Sequence, residues 1–265
     1  MLDTFNRNID CLRVSVTDRC NLKCKYCFSD DIELLDKNLI LSFEELSEFI
    51  KSALNFGINK IRITGGEPLI RNGIIDFIAM LSKLDSVIDL SMTTNGVLLS
   101  QFAEKLKAAG LNRINVSLDT MDSNKFNEIT GGGNLQDVID GLQSAKEAGF
   151  RNIKLNCVVI KSFEEEVDAK NVKEFALHNG YNIRFIRKMN LLTGDFWPIE
   201  GGSSGDCDKC SRIRLSCDGR VFPCLFNDLN FSIKEFGNEK AILEAIKCKP
   251  EKGTMTNNKI RTIGG

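Results

Sequence analysis

The sequence predicts an α/β fold: an incomplete (β/α)6 TIM-like barrel followed by a small cysteine-rich C-terminal region. Three observations predict it. Six short segments alternate strictly between apolar and polar residues, which is the strand signal. Helical patterns long enough for crossovers lie between most of them, which calls for a parallel sheet. Six such units in about 190 residues fall short of the eight that close a full barrel.

The strands are expected at 12–17, 60–64, 88–93, 113–119, 153–157 and 183–186. Ser42-Phe43-Glu44-Glu45 forms a capping box that opens the first helix, which ends near Gly57. Further helices are expected near 74–84, 100–109, 135–148 and 164–178, with Gly110, Gly149 and Gly180 as C-caps of the last three. The single histidine, His178, sits at a helix end and reads as structural.

The strands carry a second pattern. One parity reads Leu12, Val14, Val16; Ile61, Ile63; Ile88, Leu90, Met92; Ile114, Val116, Leu118; Ile153, Leu155, Cys157; and Ile183, Phe185. These side chains are expected to pack outward against the helices. The other parity includes Arg13, Lys60, Arg62, Thr93, Ser117, Lys154 and Arg184. An ordinary barrel interior is filled by branched apolar side chains. A lumen lined with Arg, Lys, Ser, Thr and Asn calls for a polar ligand, because unpaired buried charge is costly.

Residues 1–194 are read as the barrel and 195–206 as a flexible linker containing Gly201-Gly202-Ser203-Ser204-Gly205. Residues 207–265 form the C-terminal region, with one helix near 240–247 and a loose tail ending in Gly264-Gly265.

Composition excludes several function classes. The 265 residues carry a net charge of −1 and are 42% hydrophobic and 27% charged. Nothing in that balance favours nucleic acid or an anionic membrane. No apolar run reaches membrane-spanning length, and the polar start is no signal peptide. One histidine rules out HExxH zinc chemistry. Ten cysteines without an export signal point to reduced thiols, metal ligation and a cytoplasmic location.

Six of those cysteines form two trios. Cys20, Cys24 and Cys27 are spaced C-x3-C-x2-C directly after the first strand. Cys207, Cys210 and Cys224 are spaced C-x2-C-x13-C. Structural zinc takes four ligands, and an iron–sulfur cluster is held by four cysteines. Three thiolates leave one corner of a cluster open. A remote Cys could close the first site. Cys217 lies inside the second trio and could serve as its fourth ligand, so structural zinc stays open there. Cys157, on the apolar parity, reads as a buried thiol.

The first trio with Tyr26, followed by Thr64-Gly65-Gly66-Glu67-Pro68 after the second strand, resembles the radical S-adenosylmethionine (SAM) superfamily. The resemblance implies a 4Fe–4S cluster on Cys20, Cys24 and Cys27, with SAM chelating its open iron. Gly65-Gly66 lets backbone approach a ligand closely. The segments LRVSVTDRCN, KIRITGGEPLIR, TTNGVLL, INVSLD, RFI and CDKCSRIRLSCDGRVFPCLF, with Gly264-Gly265, are similar to the GTP 3′,8-cyclase family of molybdenum-cofactor biosynthesis.

That likeness implies a second 4Fe–4S cluster on Cys207, Cys210 and Cys224, with its open iron at the guanine ring. Its substrate contacts correspond to Arg13, Lys60, Arg62, Thr93, Lys154, Arg212 and Arg214; parity adds Arg184. Its SAM contacts correspond to Tyr26, Gly66, Ser117 and Met189, with Gly65 and Glu67 in the same motif. GTP as substrate, a reductase or flavodoxin-type electron donor and a downstream cyclic pyranopterin synthase are implied, and a homodimer is compatible with the likeness. Two departures stand out: roughly 45 residues that the family carries before Cys207 are absent, judged by how few connecting residues remain, and Arg187 stands where the family has an acidic residue. A twin-cluster enzyme acting on a peptide or another nucleotide, and a non-catalytic paralogue, are the alternative readings.

Overall fold

The computed structural model describes residues 1–27, 34–202, 205–257 and 260–263. The alternating segments become β1 (Cys11–Ser15), β2 (Lys60–Thr64), β3 (Asp89–Thr94), β4 (Arg113–Ser117), β5 (Ile153–Val159) and β6 (Asn182–Arg187). Between them run α1 (Phe43–Asn55), α2 (Ile74–Ser82), α3 (Leu99–Ala108), α4 (Ser123–Thr130), α5 (Leu135–Glu147) and α6 (Val167–Asn179). Each strand pairs in parallel with the next.

The register keeps like parity on one face. Arg13 lies opposite Arg62, and Arg62 opposite Ser91. Leu12, Val14, Ile63, Met92, Ile114, Val116 and Leu155 are fully buried on the other face, under the helices. Each such side chain contributes about 1.5–3 kcal/mol on burial. The capping box of α1 closes in both directions: Ser42 Oγ accepts from the Glu45 N–H at 3.1 Å, and Glu45 Oε2 accepts from the Ser42 N–H at 2.7 Å. Gly110, Gly149 and Gly180 follow their helices with positive φ.

Three features go beyond the sequence reading or correct it. A seventh parallel strand, β7 (Arg212–Leu215), pairs with β1 on the side away from β2. Ile88, expected in the third strand, precedes it and is 64% exposed, because the strand begins at Asp89. The helix α4 was not expected; Asp122 caps it by accepting from the Asn124 and Lys125 N–H groups at 2.9 Å.

After β7 the chain turns back through β8 (Arg220–Phe222) and β9 (Phe231–Ser232), both antiparallel. The sheet runs β6-β5-β4-β3-β2-β1-β7-β8-β9 among the described residues and stays open between β6 and β9. α7 (Ile233–Phe236), α8 (Asn238–Lys247) and α9 (Ile260–Ile263) complete the chain, and α8 buries Ala241, Ile242, Ala245 and Ile246. The segment expected as a linker is tied to the free edge of β6: Phe185 and Glu200 exchange backbone hydrogen bonds of 3.1 and 3.2 Å. Ser203, Ser204 and the terminal Gly264-Gly265 lie outside the described residues. No helix among the described residues is long and apolar enough to cross a membrane.

Candidate active site

The polar parity opens onto one cavity of about 350 Å3. Both cysteine trios line it: Cys20, Cys24 and Cys27 from the loop after β1, and Cys207, Cys210 and Cys224 from the segments flanking β7 and β8. β7 brings the second trio there by docking on β1. Cys217 does not line the cavity; it is fully buried, and burial beside Asp18 and Asp218 pushes its thiol up to about 12. The second trio therefore faces the cavity as three thiols.

The loop of the first trio is held on several sides. The Lys23 and Lys25 N–H groups donate to Thr130 and Ile129 carbonyls at the end of α4, both at 2.9 Å. The Gly66 N–H donates to the Thr17 carbonyl at 2.7 Å, and the Glu67 N–H to the Arg19 carbonyl at 2.8 Å. A Cβ on Gly66 would lie 2.0 Å from the Arg19 carbonyl oxygen, and one on Gly65 2.4 Å from that of Thr17. Both glycines line the cavity, but the room left by their missing side chains is filled by chain backbone. They let the Gly-Gly-Glu loop and the cysteine loop pack together.

Glu67, expected among the cofactor contacts, does not line the cavity. It is buried and accepts from the Leu69 N–H at 3.1 Å, Thr94 Oγ1 at 2.7 Å and the Asn95 N–H at 2.7 Å. Burial pushes its carboxyl up to about 7 against those bonds. Tyr26, Ser117 and Met189 do line the cavity. The Tyr26 hydroxyl donates to Asp119 Oδ2 at 2.9 Å, and Asp119 Oδ1 accepts from the Val158 N–H at 2.7 Å.

Charge dominates the wall. Arg13, Arg62, Arg184, Arg187, Lys188, Arg212, Arg214 and Lys249 face only Asp119 and Asp206. No carboxylate among the described residues pairs with Arg13, Arg62, Arg184 or Arg214. Arg13 Nε, Arg184 Nε and Arg214 Nη1 are buried without a hydrogen-bond partner. Burial, then the neighbouring guanidiniums Arg214, Arg62 and Arg212, hold Arg13 well below its ordinary range. Burial and Arg212 bring Arg214 down to about 10. Buried unpaired cations that repel one another call for an anionic ligand.

Of the predicted cations, Arg13, Arg62, Arg184, Arg212 and Arg214 converge on the cavity, as does Thr93. Lys60 and Lys154 do not line it. Lys60 Nζ pairs with Asp10 at 2.6 Å. Lys154 is held down by burial and then by Arg184, Arg113 and Arg62, so it shares their field. Ile186, Met189, Phe196, Trp197, Leu225 and Phe226 supply the apolar part of the lining, with Phe196 and Phe226 stacked at 4.4 Å and the Arg187 guanidinium 3.9 Å above the Trp197 ring.

Among the described residues no three His, Cys, Asp or Glu donors gather on one metal position, so the three-thiol sets suit a multi-iron cluster better than a single ion. Burial, then the neighbouring thiols of Cys27 and Cys20, pushes Cys24 up to about 12. Three crowded thiols are costly to ionise together without a cationic centre among them. At the second trio burial raises Cys210, but Lys249 and Arg212 outweigh it and bring the thiol down to about 6. Backbone N–H groups already point at sulfur: Leu22 to Cys20 and Phe226 to Cys224, both at 3.4 Å.

Lys249 and Arg7 escaped the sequence reading, while Asp119, on the polar parity of Ser117, and Asn95, within TTNGVLL, had no role assigned there. Lys249 is buried and donates to the Arg212 and Pro223 carbonyls, both at 2.7 Å. Arg7 donates to the carbonyls of Cys207 and Glu251 at 2.9 Å and of Pro250 at 2.7 Å, tying the N-terminal segment to the second trio. Asp119 and Asn95 support the first. Only the positive charge of Lys249 and Arg7 was visible in the sequence, with no spacing to single them out.

Residues 14–170 match the radical SAM superfamily. The chain is similar to a GTP 3′,8-cyclase of Thermodesulfovibrio yellowstonii, 37% identical with all of both chains covered. That alignment extends over 326 positions, so the relative carries positions that this chain lacks. GTP 3′,8-cyclase 2 of Pseudomonas aeruginosa is 36% identical, covering 95% of this chain and 92% of the relative. Among solved structures, the fold is similar to Streptococcus suis SuiB bound to precursor peptide SuiA. Its TM-score is 0.71 at 18% identity, over 97% of this chain and 67% of that one. Native anSMEcpe with bound AdoMet gives 0.64 at 16% identity, over 96% and 82%.

Proposed function

The chain belongs to the radical SAM superfamily and, within it, to the GTP 3′,8-cyclase family, and from that membership we propose that it converts GTP to 3′,8-cyclo-7,8-dihydro-GTP. This is the lyase reaction that opens molybdenum cofactor biosynthesis. The observation that carries the reading is the set of five guanidiniums, from Arg13, Arg62, Arg184, Arg212 and Arg214, that lines the same cavity as two three-cysteine sets.

Cys20, Cys24 and Cys27 would hold one 4Fe–4S cluster beside SAM, and Cys207, Cys210 and Cys224 a second. When bound, these groups supply a carbon-centred radical that takes hydrogen from the ribose C3′ of GTP, so that C3′ can bond to guanine C8. The chain's own residues bind, orient and exclude water. The guanidiniums take the triphosphate, offering paired N–H donors that a lysine cannot match. The apolar lining around Phe196, Trp197 and Phe226 shields the base end. Tyr26, fixed by Asp119, and Ser117 and Met189 face the SAM end. No side chain is required as an acid or base. An external reductase or flavodoxin-type donor would supply two electrons per turnover, one to release the radical from SAM and one to reduce the nucleotide radical left by cyclisation, with a proton from solvent completing the product.

Equilibrium binding to the anaerobically reconstituted protein tests the substrate class. GTP is expected to bind at least tenfold more tightly than guanosine, with the difference shrinking in Arg214→Met. Equal binding of GTP and guanosine would remove the role given to the cations. Tighter binding of a peptide panel than of GTP would move the reading to a peptide substrate.

A further inference from the structure

Asn95 follows β3 and lines the cavity beside the first cysteine trio. Its backbone N–H donates to Glu67 Oε2 at 2.7 Å, and its side-chain Oδ1 accepts from the Val97 N–H at 3.1 Å. The second bond fixes the amide's orientation, since a flipped amide would set a donor against a donor. Nδ2 therefore points at the cysteine loop with two hydrogens to give. It donates to Asn21 Oδ1 at 2.8 Å and to Cys20 Sγ at 3.8 Å. Every polar atom of the Asn95 side chain is used, and the Glu67 carboxylate beneath holds the turn that carries it.

We infer that Asn95 is a positioning residue that acts through Cys20, its amide setting the reduction potential of an iron–sulfur cluster on the first trio. This rests on the cluster ligation proposed above. Reduction adds negative charge, part of which resides on the ligating sulfurs. A hydrogen bond to a ligating sulfur favours the more negative, reduced state and raises the potential. Asn95 is neutral, so the donor itself does not titrate. It is also locked from three sides, so the donor does not have to reorganise when the electron arrives.

The test is an EPR-monitored redox titration of the reconstituted full-length chain, following the cluster signal that shifts on adding SAM. In Asn95→Ala the reduced fraction at a given potential is expected to fall about tenfold, which for one electron is about 59 mV. Asn95→Asp keeps an oxygen for the Val97 N–H and replaces the donor by an acceptor, so its midpoint should fall further. It also carries the test if the alanine variant does not load a cluster. Asn21→Ala removes the neighbouring anchor, whose Oδ1 also lies 3.9 Å from Cys20 Sγ, but keeps the Asn95 donor, and should shift the midpoint much less than Asn95→Ala. Parent midpoints in both Asn95 variants, or an equal drop in Asn21→Ala, would overturn the inference. A parent protein with no SAM-responsive cluster would instead overturn the cluster ligation on which it rests.

Discussion

The Tyr26 hydroxyl, set between two cysteines of the first trio, donates a 2.9 Å hydrogen bond to the half-buried Asp119 carboxylate just past the end of β4. Asp119 also accepts from the Val158 N–H of β5 at 2.7 Å. One carboxylate thus links the cysteine loop to two barrel strands. In Asp119→Asn the amide oxygen can keep the Val158 N–H, but the Tyr26 hydroxyl loses its charged acceptor, and the change is expected to cost about 1–3 kcal/mol, measured by chemical denaturation of the apo protein. Tyr26→Phe should cost less and weaken SAM binding. An unchanged stability for Asp119→Asn would contradict the role given to the carboxylate.

The guanidinium cluster trades stability for ligand binding. Arg13 is held well below its ordinary range by burial and by Arg214, Arg62 and Arg212. Arg13→Met is expected to leave the apo protein as stable as the parent, or about 1 kcal/mol more stable. The same change should weaken GTP binding about tenfold and shrink the thermal stabilisation that GTP gives. Loss of apo stability with GTP affinity intact would reverse this account.

Glu67 makes stability depend on pH. Its carboxyl is raised from 4.5 to about 7 by burial. A raised carboxyl stabilises the fold fully when protonated, below about 4.5, and that contribution is lost as pH rises through about 7. The shift corresponds to on the order of 3 kcal/mol. The stability difference between the parent and Glu67→Gln should therefore change between pH 5 and 7 and level off above pH 8. A flat difference across that range would show that Glu67 titrates normally.

Cys217 and Cys224 should behave oppositely despite their closeness in sequence. Cys224 faces the cavity, whereas Cys217 is buried away from it. Iron analysis after reconstitution is expected to give about eight irons per chain for the parent and Cys217→Ala. Cys224→Ala should fall toward four. Iron loss in Cys217→Ala would make it a ligand and close the second site.

Strand parity made much of this site legible in the sequence. Alternation at Leu12 to Ser15 and at Lys60 to Thr64 requires two faces, and β1 and β2 have them in register. Gly65 and Gly66 were visible as positions needing no side chain, but not what fills the space, because the Thr17 and Arg19 carbonyls arrive through tertiary packing. Arg212-Ile213-Arg214-Leu215 is too short a segment to announce a strand; pairing with β1 makes it one. Lys60 carries the right charge and parity, yet Asp10 at the start of β1 binds it. Lys249 and Asn95 act through contacts to residues about 40 and 75 positions away, which no spacing rule reaches.

The most direct test of the central claim is a single anaerobic turnover experiment. The chain is reconstituted, its iron is counted, and it is incubated with SAM, dithionite and GTP while 5′-deoxyadenosine and nucleotide products are followed by mass spectrometry. The account predicts 5′-deoxyadenosine and 3′,8-cyclo-7,8-dihydro-GTP rising together, with both depending on GTP. Deoxyadenosine formed at the same rate without GTP, and no cyclised nucleotide, would contradict it.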